Sequence, residues 1–419
     1  MASGQMRGAG MSGHEMGPQE DEHMSLMMGP LGISRARLGS GTSWQPDSSP
    51  MYGLLAPLGD GGLMFHGNMF VGYDWFGGDR GSDRFISVGS IGGMAFHPLG
   101  PGELMARVML SPEPLTVGKR GYPLILQTGE TADGEPLHDR QHPHDLFMEL
   151  AATYTLPISS GVGLQLYVAA AGEPALGPTA FPHRISAVSD PLAPLGHHWQ
   201  DSTHISFGVL TAGIFTRYLK LEGSWFNGRE PDENRWNLDL RAPDSYAGRL
   251  TWNPTRDLSM QGSYGYLPSS EAEEPTVSLH RVTASATYNM RIDDEANWAT
   301  TFVFGENITS EGPPTHSLLL ESNWNIDGHH VLYGRVEYVR KTGHDLVLSP
   351  QLDQTGLDVG MLALGYVCYL GPFASMAPGI GVRGTVGVTD ARLAPFYGET
   401  FPVGAMIFVQ LRPAAMSSM

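Results

Sequence analysis

From about residue 62 onward, apolar and polar residues alternate along the chain in one segment after another. Between residues 257 and 266, for example, Met260 and Tyr264 fall on one parity, whereas Ser259 and Gln261 fall on the other. Successive side chains of a β-strand point to opposite faces of the sheet. The alternation therefore predicts strands that have one apolar face and one polar face.

Most of the predicted strands have about ten residues or more, which is the length that crosses a bilayer at a tilt. Strands of soluble proteins commonly have only about five or six residues. Several apolar sets end in an aromatic residue, such as Trp225, Trp252 or Trp324, as expected where a strand meets the membrane interface. We predict sixteen strands, at 62–74, 84–96, 102–110, 145–155, 161–171, 204–215, 217–226, 244–253, 256–266, 279–290, 296–305, 315–325, 329–340, 358–370, 374–388 and 402–412.

The connections between these strands alternate in length. Short turns such as 253–255 and 371–372 are followed by long loops, which we place at 75–83, 111–144, 172–203, 227–243, 267–278, 306–314, 341–357 and 389–401. Short turns on one side and long loops on the other are typical of outer-membrane barrels whose termini both lie on the periplasmic side. A soluble all-β protein would share the alternating faces, but it has no reason to keep this order of turns and loops.

The predicted fold is therefore all-β: a transmembrane antiparallel β-barrel of about 16 strands with long extracellular loops and a disordered N-terminal tail. We divide the chain into a Met/His-rich flexible tail over 1–55, an outer-membrane β-barrel over 56–412 and a C-terminal tail over 413–419. The predicted location is the outer membrane, and we infer that an export signal has been removed.

The composition excludes several classes of function. Hydrophobic residues make up 41% of the chain, charged residues only 16%, and the formal net charge is −18. An acidic chain without a basic run argues against nucleic-acid binding. A single cysteine, Cys368, excludes an internal disulfide. The chain has no nucleophile elbow, no HExxH motif and no P-loop, and we therefore do not expect an enzyme.

The polar parity of the predicted strands carries charged residues of both signs. In a membrane barrel this parity faces the lumen, and sixteen strands leave room for an aqueous channel. Long loops that fold inward would narrow such a channel. The residues that we predict to line the lumen are Glu149, Lys220, Glu222, Arg249, Arg281, Glu321, Arg335 and Glu337.

Two neighbouring long loops are rich in histidine. They carry His138, His142, His144, His183, His197, His198 and His204, accompanied by carboxylates. Clusters of histidine and carboxylate suit Zn, Cu, Fe or Ni. If a metal ion binds here, the first choices are His142, His144, His197 and His198, followed by Asp145 and His204. The alternative is that the histidines and aspartates only hydrogen-bond the loops together over the barrel mouth.

The first fifty residues have a different composition. Methionine occurs at positions 1, 6, 11, 16, 24, 27 and 28, and His14 and His23 lie among them. Thioether and imidazole groups together suit copper. An acidic, Met-rich leader before a barrel resembles the organisation of the copper-resistance outer-membrane proteins, and this resemblance implies a copper or other divalent ion as a cofactor. The barrel is also similar to a general porin, and the alternative for the leader is a flexible tail that binds nothing.

The sequence alone is compatible with three functions. The first is a channel for small polar solutes or ions, and the second is a metal-binding outer-membrane protein of the copper type. The third is a structural or assembly barrel with a plugged lumen. The expected partners are outer-membrane lipid and small solutes or metal ions, without nucleic acid. By analogy with porins, a homo-oligomer is also expected.

Overall fold

The computed structural model describes residues 26–271 and 275–416 of the chain. Nineteen strands lie in these residues: β1 Leu54–Leu58, β2 Gly61–Phe76, β3 Asp83–Leu99, β4 Gly102–Leu110, β5 Tyr122–Ala132, β6 Glu135–Gln141, β7 Phe147–Pro157, β8 Gly163–Gly172, β9 Ser206–Phe215, β10 Leu219–Asn227, β11 Ser245–Thr255, β12 Leu258–Leu267, β13 Leu279–Arg291, β14 Asn297–Thr309, β15 Thr315–Asn325, β16 His330–Lys341, β17 Leu357–Tyr369, β18 Met376–Thr389 and β19 Val403–Pro413.

The helical elements are all short. One-turn α-helices are found at Glu113–Thr116, His197–Gln200 and Ala394–Tyr397, and 3₁₀ turns at Pro30–Gly32, Arg35–Arg37, Ile185–Ala187, Ser202–His204 and Ala391–Leu393. No helix in the described part of the chain has the length and apolar character that a membrane crossing would need.

Sixteen of the strands form one closed antiparallel barrel. The order is β2-β3-β4-β7-β8-β9 and then β10 to β19 in sequence, and β19 pairs with β2 to close the ring. The predicted fold class and all sixteen predicted strands are therefore confirmed. The seam contains one further strand, because β1 pairs with the first residues of β2 while β19 pairs with the later ones.

The two faces of the wall differ as the alternation predicts. On β10, the outward Leu219 and Leu221 are 46% and 57% exposed, whereas the inward Lys220 and Glu222 are 1% and 3% exposed. Exposed leucine, valine and aromatic side chains cover the outer face, which therefore suits contact with lipid. This is an outer-membrane β-barrel.

The prediction missed β1 and the hairpin β5–β6, which lies inside the loop predicted at 111–144. The hairpin forms a separate two-stranded sheet, and Asp133 and Gly134 at its tip have φ angles of 57° and 76°. An Asp-Gly pair with positive φ at both residues is a favoured two-residue hairpin turn. The dipeptide was therefore a signal for this hairpin in the sequence.

Two stretches of chain lie inside the barrel. The first is residues 26–53, named here the N-terminal segment, and the second is residues 173–205, the inner loop between β8 and β9. We expected residues 26–53 to belong to the flexible tail, but they carry two 3₁₀ turns and a bridge from Leu38 to Trp44. Hydrogen bonds from inward-facing side chains of the wall hold both stretches in place.

Candidate functional site

All eight residues that we predicted to line the lumen are buried on the inner side of the wall. Their exposure ranges from 1% for Lys220 to 7% for Glu149. They fall into two groups, and Arg249 contacts both stretches, because it also donates to the carbonyl oxygen of Gly177 in the inner loop at 3.2 Å. Glu149, Lys220, Glu222 and Arg249 lie near the N-terminal segment, whereas Arg281, Glu321, Arg335 and Glu337 bind the inner loop.

The N-terminal segment meets the first group at its tip, residues 39–44. Lys220 Nζ donates to the carbonyl oxygen of Thr42, and Arg249 Nη2 donates to Thr42 Oγ1 at 2.9 Å. Arg107, an inward residue of β4, donates to the carbonyl oxygen of Gly41 and pairs with Glu149 at 2.8 Å. These wall charges thus bind an uncharged tip chiefly through its backbone oxygens.

The inner loop is anchored by a buried charge network. Arg184 of the loop donates to Glu321 of β15, which also accepts from Arg335 Nε of β16 at 3.1 Å. Ser186 Oγ donates to the same carboxylate at 2.7 Å. Each of these charged side chains is 1% exposed. Trp199 Nε1 of the loop also donates to Thr315 Oγ1 at 2.8 Å.

Free space inside the barrel is divided into small cavities. One of about 140 Å³ lies between the N-terminal segment, the inner loop and strands β2 to β4. Its lining includes Arg35 and Gln45 of the segment, His183 of the loop, and His66 and Arg107 of the wall. In the described conformation, the N-terminal segment and the inner loop occupy the lumen. Only small cavities are left between them and the wall, in place of one wide channel.

Five of the seven predicted loop histidines, His142, His144, His197, His198 and His204, come together between the inner loop and the chain that leads into β7. The ring centroids of His144 and His204 are 5.2 Å apart, and those of His197 and His204 are also 5.2 Å apart. Phe181 contacts all three rings, at 5.8 Å from His144, 5.4 Å from His197 and 5.9 Å from His204. We name His144, His197 and His204 the histidine triad.

Each ring of the histidine triad is held through Nδ1. His144 Nδ1 lies 2.9 Å from Glu113 Oε1, and His197 Nδ1 lies 2.7 Å from Asp201 Oδ1. His204 Nδ1 lies 2.8 Å from the backbone oxygen of Asp201. Glu113 was not predicted from the sequence, because a lone Pro-Glu step in a long loop gives no signal of this contact.

His142 and His198 flank the histidine triad on the side of the β5–β6 hairpin. Their ring centroids are 5.6 Å apart. His142 Nε2 lies 3.2 Å from Glu130 Oε1, and His198 Nδ1 lies 3.6 Å from Glu230 Oε1. These contacts tie the hairpin region and the loop after β10 to the inner loop.

Burial sets the protonation of most of these rings. It lowers the pKa of His197, the pKa of His198 to about 4, and the pKa of His204 to well below its ordinary value. Burial alone would also lower the pKa of His144, but the Glu113 carboxylate outweighs it and raises that pKa.

The predicted metal site needs correction at Asp145. Arg235 Nη1 donates to Asp145 Oδ2 at 3.2 Å, so the Asp145 carboxylate forms an ion pair with Arg235. Burial raises the pKa of Asp145 to about 7. Among residues 26–271 and 275–416, no group of three or more His, Cys, Asp or Glu side chains has the arrangement that holds a metal ion. The contacts instead fit the alternative reading, in which histidines and carboxylates bind the loops to one another.

The predicted copper-type ligands of the leader, including His14, His23 and the methionines up to Met24, lie outside the described residues. Met27 and Met28 lie within them, at the start of the N-terminal segment. There, Arg35 N donates to the Met27 carbonyl oxygen at 2.9 Å.

No known family model and no curated protein sequence matches this chain. Among solved structures it is similar to OmpF of Salmonella typhi in complex with daunomycin, with 12% identity and a TM-score of 0.54 over 86% of this chain and 100% of that one. It is also similar to an anion-selective porin from Comamonas acidovorans, with 11% identity and a TM-score of 0.52 over 84% of this chain and 99% of that one. The chain shares the barrel fold of these outer-membrane porins.

Proposed function

We propose that the protein is an outer-membrane channel for small polar solutes or ions and that the described conformation is its closed state. The observation that carries this proposal is the inward set of eight charged residues on a wall of sixteen strands. A wall that only had to enclose a packed core would not need buried charges of both signs, since each is costly to bury.

The way in which the barrel is filled supports a closed channel. The N-terminal segment and the inner loop are separate stretches of chain, so moving either one would free the wall residues that it alone contacts. The N-terminal segment touches the wall largely through polar groups, such as the bidentate ion pair between Arg35 and Glu103 at 2.6 and 3.0 Å. Polar contacts of this kind can be exchanged for contacts with water at modest cost.

Conductance in planar bilayers tests this function with two deletions. Removing residues 1–50 takes away the N-terminal segment, whereas removing residues 1–25 leaves it in place and serves as the matched control. We expect low conductance from the full chain and the control, and a clear rise in conductance from the longer deletion. If all three proteins fold and none conducts, the barrel is a structural one with a permanently filled lumen.

Whether the barrels assemble into a homo-oligomer is a separate prediction, which the proposed channel does not require. Homo-oligomer formation is measured by the mass of the detergent-solubilised protein with the detergent contribution subtracted. A single-barrel mass would contradict it without affecting the proposed channel.

A further inference from the structure

The outer face of the wall carries an apolar groove beside the seam of the barrel. It lies along β2, β3 and β4, next to β1 and the end of β19, and has a volume of about 630 Å³. Its lining includes the small residues Gly67, Gly93 and Ala106. The large side chains of Phe65 and Ile91, both exposed, border it. Cavities of about 300–1,000 Å³ with a mainly apolar lining are typical of small-molecule sites.

The wall is interrupted at this groove, because β2 changes its neighbour there. Residues 61–65 of β2 pair with β1, and residues 69–76 pair with β19. Between them, in the part of the chain that the structure describes, His66, Gly67 and Asn68 pair with β3 alone. The side chain of Gln410 donates to Asn68 Oδ1 at 2.8 Å where the backbone pairing is missing. In the hydrocarbon region such a gap is tolerated only where protein or a polar space lies behind it.

A polar space does lie behind the gap. The cavity of about 140 Å³ between the N-terminal segment, the inner loop and the wall is on the inner side of the same stretch of β2 and β3. His66, Gly67 and Met94 line both this inner cavity and the outer groove. A single layer of residues therefore separates an apolar space that faces lipid from a polar space inside the barrel.

The lining of the inner cavity favours an anionic group. It holds two guanidinium groups, of Arg35 and Arg107, and one carboxylate, of Glu149. Arg35 pairs with Glu103 and Arg107 pairs with Glu149, but Arg107 Nε is buried without a hydrogen-bond partner among the described residues. The Arg107 side chain is 5% exposed, so this donor is not satisfied by bulk water. A carboxylate is a strong acceptor for a guanidinium N–H.

We propose that the seam binds a single-chain amphiphile of the fatty-acid class, with its tail in the outer groove and its carboxylate in the inner cavity. The groove lies on the face that suits lipid, so an acyl chain reaches it from the membrane without crossing water. The inner cavity is small, which limits the head to a few atoms and excludes a large lipid headgroup. The carboxylate passes the wall at residues 66–68, where no backbone pairing with β1 or β19 has to break. This binding does not require the proposed channel to conduct.

Native mass spectrometry of the delipidated, folded full-length protein, titrated with palmitic acid, tests the tail site. Gly93→Leu places a side chain in the groove; a Cβ at this position makes ordinary contacts, with Phe65 Cδ1 at 3.5 Å, so the wall should fold unchanged. Gly384→Leu is the matched control, because Gly384 is also an outward glycine and a Cβ there meets nothing within 4 Å. We expect one bound palmitate in the wild type and the control. Gly93→Leu should bind it at least about tenfold more weakly, since the leucine displaces about two methylene groups of the tail.

A second titration, with 1-hexadecanol, tests the head site, because this alcohol has the same tail without the charge. Palmitate should bind to the wild type more tightly than hexadecanol, and Arg107→Gln should remove that preference. Palmitate binding that is equal in the wild type and Gly93→Leu would overturn the proposal, and so would a preference that is absent from the wild type or survives in Arg107→Gln. Loss of an oligomer in Gly93→Leu without weaker palmitate binding would also overturn it and assign the groove to a second copy of the chain.

If these variants fail to fold, photo-crosslinking of the wild type in lipid nanodiscs decides. The probe is palmitic acid with a diazirine in the middle of its chain, and the labelled peptides are identified by mass spectrometry. Label concentrated on residues 61–76 and 83–110 and displaced by unlabelled palmitate supports the site. Label spread evenly over the outer face, as expected for ordinary lipid contact, overturns it.

Discussion

Replacing Glu321 by glutamine should release the inner loop from the wall while leaving the wall itself intact. The glutamate is 1% exposed and accepts hydrogen bonds from Arg184, Arg335 and Ser186. Glutamine has nearly the same shape but no charge, so two buried guanidinium groups lose their shared carboxylate. Breaking a buried ion pair by removing one partner costs about 3–5 kcal/mol.

The lower end of this range applies here, because each arginine retains a second carboxylate. Arg184 lies 3.3 Å from Asp201, and Arg335 lies 3.4 Å from Asp190. A cost of about 3 kcal/mol corresponds to a population of detached loop about 100-fold higher, since about 1.4 kcal/mol is a factor of ten. Local opening of this kind is visible as faster amide hydrogen exchange.

The assay is hydrogen exchange followed by mass spectrometry of the folded protein. Peptides from residues 181–192 of the inner loop should exchange about 100-fold faster in the variant, whereas peptides from β13 to β16 should change little. Glu306→Gln removes a carboxylate from the outer parity of β14 and is the control. Unchanged exchange of the inner loop in Glu321→Gln would refute its role as the anchor.

Three further predictions concern contacts between the wall and the chain inside it: two for the inner loop and one for the N-terminal segment. Trp199→Ala should destabilise the loop by about 3–5 kcal/mol, because it empties a fully buried aromatic site, and the loss is measured by hydrogen exchange. Gly305→Ala should displace the loop, since a Cβ there would lie 2.3 Å from the Trp199 oxygen; Gly384→Ala, which meets nothing within 4 Å, should have no such effect. Arg35→Gln should lower the protection of the N-terminal segment against protease by roughly 1 kcal/mol, because its ion pair is partly exposed.

The wall of the barrel was predictable because its signal is local. Each strand carries its own alternation, and β4 and β15 begin and end at the predicted residues 102–110 and 315–325. The same parity placed Lys220 and Glu321 on the inside. The chain inside the barrel could not be predicted in this way. Thr42 and Lys220, for example, are 178 positions apart in the sequence, and a contact over such a separation produces no periodic pattern of residues.

The histidine cluster could be predicted in part. The number of histidines in two neighbouring loops predicted that they would meet, because adjacent long loops share one side of a barrel. The sequence analysis ranked His142, at the edge of the histidine triad, ahead of His204, which contacts both of the other two rings. That distinction depends on the one-turn helix His197–Gln200 and on the fold of residues 111–146, which only the three-dimensional packing determines.

The placement of β1 ties the N-terminal segment to the point where the barrel closes. This strand is the direct continuation of the N-terminal segment, and its hydrogen bonds to β2 lie beside the seam where β19 closes the ring. Tyr52 also bridges to Ala415 just beyond β19. A segment that leaves the lumen therefore remains tethered at the seam, beside the two strands that close the ring.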